Sequence, residues 1–219
     1  MKKGFLMTMV AVVALVLVSA PAKAVDEEYA AKSQLHLTID KFFWETENVS
    51  GYAWGSALIN WNVNEMPTMI VEVGPVIHLT DKINLYILTA SMHEPIGWSF
   101  GGSGQLEYSG EKNHLLAVYE HYEPVMPAEH EEERVLMPFI PELPEQSYYW
   151  YGQYDYSLID DVKVGAFFES FGYYEDDDPV TCYYGVFAQY GKLQVMVGPE
   201  EMPMEPNKRW LLFRGKIAI

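Results

Sequence analysis

A two-residue alternation running through almost all of the chain after residue 33 constrains its fold more than any other feature. In IGWSFGGSGQLEYS, residues 96 to 109, one alternate set is Ile96, Trp98, Phe100, Gly102, Gly104, Leu106 and Tyr108. The other is Gly97, Ser99, Gly101, Ser103, Gln105, Glu107 and Ser109. Successive side chains of an extended strand point to opposite faces, so this stretch predicts a strand with one apolar, aromatic face and one small, polar face. YYWYGQYDYSL at 148 to 158 repeats the pattern, with Tyr148, Trp150, Gly152, Tyr154, Tyr156 and Leu158 on one side. Leu35, Leu37 and Ile39 oppose His36, Thr38 and Asp40, and Met69, Val71 and Val73 oppose Glu72 and Gly74. No later stretch carries a 3.6-residue apolar period, and the chain is read as all-β.

Alternation leaves open which face is outside. A soluble barrel or sandwich turns its apolar face inward, whereas a membrane barrel turns it toward lipid. Three features favour lipid. The polar faces are built from Gly, Ser, Gln, Asn and Tyr, with charge collected in connections such as EHEEER (129 to 134), YYEDDDP (173 to 179) and GPEEMPMEP (198 to 206). Tyr and Trp recur near strand ends, as in the aromatic girdles of membrane barrels. The alternating runs reach about ten residues, the length a tilted membrane strand needs. The expectation is an antiparallel up-and-down transmembrane β-barrel, with a soluble periplasmic barrel or sandwich that binds a small ligand or metal as the alternative.

The N-terminus agrees with export. Met1-Lys2-Lys3 precedes an apolar run from Phe5 to Val18, and Pro21-Ala22-Lys23-Ala24 supplies the small residues of a cleavage site. This is the layout of a secretory signal peptide over residues 1 to 24. Residues 25 to 33 read as a lead-in, residues 34 to 219 as the barrel, and 123 to 146 as a long acidic loop. The formal charge of −17 makes nucleic acid an unsuitable partner. A single cysteine, Cys182, excludes an internal disulfide.

On these residues the chain resembles bacterial outer-membrane β-barrel proteins as a class, over residues 34 to 219. LLFRGKIAI at 211 to 219 resembles their terminal assembly strand, although Ile219 replaces the aromatic residue usual at that end. The resemblance implies location in the outer membrane, contact with its lipid and handling by the barrel assembly machinery. Even strand numbers are the rule in that class. Alternation suggests eleven strands, so the expectation is ten, without residues 34 to 45, or twelve, with a further strand at 134 to 140. Pro75, in a strand-like run, is expected at a bulge.

Candidate lumen-lining residues are Glu72, His78, Glu107, Asp155, Lys163, Glu169, Arg214 and Lys216. They would line either a narrow pore for small solutes or ions, or an internal salt-bridge network in a structural or surface-interaction barrel. His121, Glu123, Met126, His130, Glu131, Glu132 and Met137 could together hold copper or another divalent ion, but lack tight ligand spacing. Neither a metal site nor a cofactor is expected. His78 lies two residues from Thr80, and His36 two from Thr38, a spacing common by chance on one strand face. With no Gly-x-Ser-x-Gly or His-Glu-x-x-His present, the expectation is no enzyme, a lipid-modifying hydrolase being the weaker alternative.

Overall fold

The structure is a computed structural model that describes residues 29–60, 67–94, 97–125, 146–174, 181–201 and 209–219. These residues form eleven strands: β1 (Tyr29–Glu45), β2 (Val49–Asn60), β3 (Thr68–Thr80), β4 (Ile83–Glu94), β5 (Gly97–Ser109), β6 (Asn113–Val125), β7 (Ser147–Ile159), β8 (Val162–Tyr173), β9 (Thr181–Tyr190), β10 (Leu193–Glu201) and β11 (Arg209–Ala218). Each strand pairs with its chain neighbours, and β1 pairs with β11 to close the barrel. No helix occurs among the described residues.

Ten of the ladders are antiparallel, and the seam is parallel, running from Tyr29↔Arg209 to Thr38↔Ala218. An up-and-down wall with an odd number of strands must bring two parallel strands together where it closes. The expected even number therefore gives way to eleven. Residues 34 to 45 belong to β1, which excludes the ten-strand count. Residues 134 to 140 lie outside the described residues, as do the predicted signal peptide and the segment 126–145 of the acidic loop. The barrel also begins earlier than expected, because Tyr29 to Ser33 pair with β11 rather than forming a lead-in. Glu123 to Val125 belong to β6 and not to the loop.

The registers accumulate a stagger of about 14 residues around the wall, which tilts eleven strands by roughly 40° and sets a backbone radius of about 11 Å. At one end the connections are tight, at residues 46–48, 81–82, 110–112, 160–161 and 191–192. Two of these turns carry positive φ, at Asp161 (65°) and Gly191 (55°), where a short polar side chain or none is tolerated. The other end carries the connections 61–67, 95–96, 126–146, 174–180 and 202–208. Bulges fall at Phe42/Trp44, His78/Thr80 and Ser157/Ile159. Pro75 has none: it faces Gly51 in an unshifted β2·β3 ladder, and the β3·β4 ladder passes from Val73↔Thr89 to Val76↔Tyr86 around it.

The two faces of β5 fix the orientation of the wall. Trp98, Phe100 and Leu106 are 53%, 55% and 45% exposed, whereas Ser99 and Ser103 are 3% and 5% exposed. The same outward apolar surface continues through Met69, Val71, Ile87, Leu115, Trp150, Phe168 and Val186. Inside, the described residues also include apolar clusters that alternation did not announce. Phe167, Tyr183, Phe187, Met196 and Leu212 form one, and Ala90, Met92 and Tyr122 another.

Candidate functional site

The polar face of each strand must place its groups inside a narrow lumen, where unpaired polar atoms are costly. The registers meet this demand with a belt near the tight-turn end, one residue from each of seven consecutive strands. Ser50 Oγ on β2 lies 2.6 Å from His78 Nε2 on β3. His78 Nδ1 lies 2.8 Å from Oδ1 of Asn84, its cross-strand partner on β4. Asn84 Nδ2 donates to Glu107 Oε2 on β5 at 3.2 Å. Glu107 Oε1 accepts from His114 Nε2 on β6 at 3.0 Å, and His114 Nδ1 reaches Asp155 Oδ2 on β7 at 2.9 Å. Lys163 Nζ on β8 completes the run, 3.3 Å from Asp155 Oδ1.

Hydrogen-bond directions along this belt are fixed by its charged members. Glu107 can only accept, so the Asn84 amide turns its NH₂ toward it and its carbonyl oxygen toward His78. That oxygen takes the proton on His78 Nδ1, which leaves Nε2 as the acceptor of the Ser50 hydroxyl. His114 has a carboxylate on each ring nitrogen and donates to both, an arrangement served by the imidazolium. Tyr86 Oη adds a third donor to Glu107 at 2.6 Å. Gln153 Nε2 donates to Asp155 at 3.0 Å, and Gln153 Oε1 accepts from Tyr151 Oη at 2.5 Å.

A second group clamps the parallel seam. Arg214 on β11 donates through Nε to Gln34, its register partner on β1, at 2.8 Å. Its two terminal nitrogens reach across the lumen to both oxygens of Glu169 on β8, at 2.5 and 3.0 Å. The planar guanidinium suits this bidentate geometry, and its carbon stands 5.1 Å from the Tyr183 ring centroid. Glu72, buried, accepts from Gln105 at 2.9 Å. Lys216 and its seam partner His36 line a cavity of about 440 Å³. Trp54, Glu72, Glu120, Tyr149, Gln194 and Arg214 also face it. Toward the end with longer connections, Met92 and Tyr122 are buried in one apolar cluster and Tyr183 and Leu212 in another.

All eight sequence-selected residues face inward, but they divide into separate groups. His78, Glu107, Asp155 and Lys163 belong to the belt, Glu169 and Arg214 to the seam clamp, and Glu72 and Lys216 to the cavity wall. Ser50, Asn84, His114 and Gln34 complete the networks and were missed. Selection by charge passed over the neutral ones. His114 is the second residue of β6, whose inward set includes Leu116 and Val118 and so masks the alternation. Thr80, paired with His78 in the sequence reading, instead accepts from the Lys82 amide at 3.2 Å. Of the metal-ligand candidates, His121 and Glu123 stand 3.5 Å apart. The others lie outside the described residues, among which no cluster of three ligating groups occurs.

A comparison with protein-family models finds no match for this chain, and a search among curated proteins finds none.

Proposed function

We propose that this chain is an outer-membrane β-barrel with a passive structural or surface-interaction role, its lumen closed to passage by its own side chains. The observation that carries the reading is the outward apolar belt on a closed wall, with Trp98, Phe100 and Leu106 exposed and Ser99 and Ser103 buried. Water is a poor solvent for so extended an apolar surface, and hydrocarbon a good one. Closure of the ladder also satisfies the backbone groups that lipid cannot. Outer-membrane lipid and the barrel assembly machinery are the partners this location requires.

Cell fractionation tests the location. The protein should remain with the outer membrane after carbonate or high-salt washing, and should migrate differently on gels with and without heating. Release into the soluble periplasmic fraction would overturn it. The closed lumen is tested separately in planar bilayers, where buried Met92, Tyr122, Tyr183 and Leu212 argue for no single-channel steps. Regular steps at any voltage would replace the plugged barrel with a narrow pore.

A further inference from the structure

We propose that Ser50, His78 and Asn84 form a nucleophile, base and orienting group that hydrolyse carboxylic esters at the tight-turn rim of the lumen. The three side chains come from three adjacent strands and meet at 2.6 Å (Ser50 Oγ to His78 Nε2) and 2.8 Å (His78 Nδ1 to Asn84 Oδ1). A hydroxyl, an imidazole and a third group that fixes the imidazole tautomer are the parts that acyl transfer to serine needs. The tautomer is the useful one. Glu107 holds the Asn84 amide, Asn84 holds the proton on Nδ1, and Nε2 is left to take the proton of Ser50.

Local backbone irregularity concentrates at the same place. The β3 bulge lies at His78/Thr80, and the β1 bulge at Phe42/Trp44 flanks Gly51, the neighbour of Ser50. Bulges re-aim side chains and recur beside active sites. Phe43 and Trp44 pack around the Cα of Gly51 on the outer face of the wall, the face opposite the Ser50 side chain. Ser50 itself is buried and His78 is half-buried, so the imidazole is the more exposed of the two groups.

The chemistry balances with water as the second reactant. Ser50 Oγ bonds to the acyl carbon as its proton passes to His78 Nε2. The ester C–O bond breaks as Nε2 returns that proton to the departing alkoxide. Water then adds to the acyl carbon and gives a proton to Nε2. The acyl–Oγ bond breaks, releasing the carboxylic acid and restoring the serine. Asn84 and Glu107 act through His78 and are positioning residues.

The test uses the full-length folded barrel in detergent, its folding checked by heat-dependent gel migration. A fluorophosphonate probe should form one covalent adduct, mapped by peptide mass spectrometry to Ser50. Hydrolysis of p-nitrophenyl octanoate should fall at least about 100-fold in both Ser50→Ala and His78→Asn. Glu107→Gln frees the Asn84 amide to turn, and should lower the rate and move the pH–rate profile, which a purely structural role would leave in place. No adduct on Ser50 in the wild-type barrel, or ester hydrolysis that survives Ser50→Ala, overturns the proposal. Neither result depends on whether the lumen conducts.

Discussion

The two halves of the lumen are lined in different ways behind one continuous wall. Near the tight turns, a belt of hydrogen bonds runs from Ser50 through His78, Asn84, Glu107 and His114 to Asp155, and an ion pair carries it to Lys163, one residue per strand. Toward the longer connections, Met92 and Tyr122, and separately Tyr183 and Leu212, are buried in apolar clusters. Packing contacts carry little direction, and a lost atom leaves a cavity into which neighbours partly relax. A belt of charged and polar groups is directional, and removing one member strands its partners. The halves should therefore respond differently to mutation, with the seam clamp between them the most sensitive point. Arg214 touches both regimes, binding Glu169 and Gln34 while lying over the Tyr183 ring.

The largest effect is expected there. Arg214→Ala removes a buried cation, leaves Glu169 without its bidentate partner and loosens the parallel seam, at a cost of about 3 to 5 kcal/mol. Leu212→Ala, two residues away in the packed half, removes apolar contacts and should cost about 2 to 5 kcal/mol, toward the lower end where Tyr183 and Met196 can close in. Urea midpoints read from the heat-modifiable gel form rank the two. A larger loss for Leu212→Ala would reverse the comparison and make packing the dominant seam element.

The wall common to both halves is probed from outside. Val71 is exposed on the outer face of β3, and Val71→Lys should cost about 2 to 4 kcal/mol if that face meets the bilayer interior. In water the same change would fall within about 0.5 kcal/mol of neutral. A neutral result, measured by urea titration of protein refolded in vesicles, would take the lipid away from both halves alike. Within the belt, Asp155→Asn keeps the shape but removes the charge that faces His114 and Lys163, and should cost about 1 to 3 kcal/mol. An unchanged midpoint would show that the belt's members act independently.

Much of this architecture is legible in the sequence, because burial on one face of a strand imposes period two. The β5 and β7 faces follow from Ile96 to Ser109 and Tyr148 to Leu158 without further information. The inward direction of all eight chosen residues follows from the same rule. What alternation does not carry is register. Whether His78 meets Thr80, two residues along its strand, or Ser50, on the neighbouring strand, depends on a ladder offset and on the bulge at His78/Thr80. The parallel seam follows from the count of eleven alternating runs; the rule of even strand numbers hid it, since β1 and β11 look locally like any other strands. Interior apolar residues such as Phe167, Phe187 and Met196 escaped notice because strands with both faces apolar give no sign of which face points in.

The smallest expected effect separates wall from lumen within four residues. Gly104 lies on the outward face of β5, and a Cβ built there would have no atom within 4 Å, so Gly104→Ala should change the stability measured by urea titration by less than about 0.5 kcal/mol. Gly101, on the inward face, has no such room. A Cβ there would fall within contact of the His121 carbonyl oxygen and the Tyr122 Cα, both backbone atoms of the neighbouring strand. Those atoms cannot turn aside as a side chain would, so Gly101→Ala must part β5 from β6 where Gly101 pairs with Tyr122. The pair of variants therefore compares one chemical change in two environments. Were Gly104→Ala to destabilise as much as Gly101→Ala, the outer face would be in close contact with something besides solvent or lipid, and both halves of the comparison would have to include it.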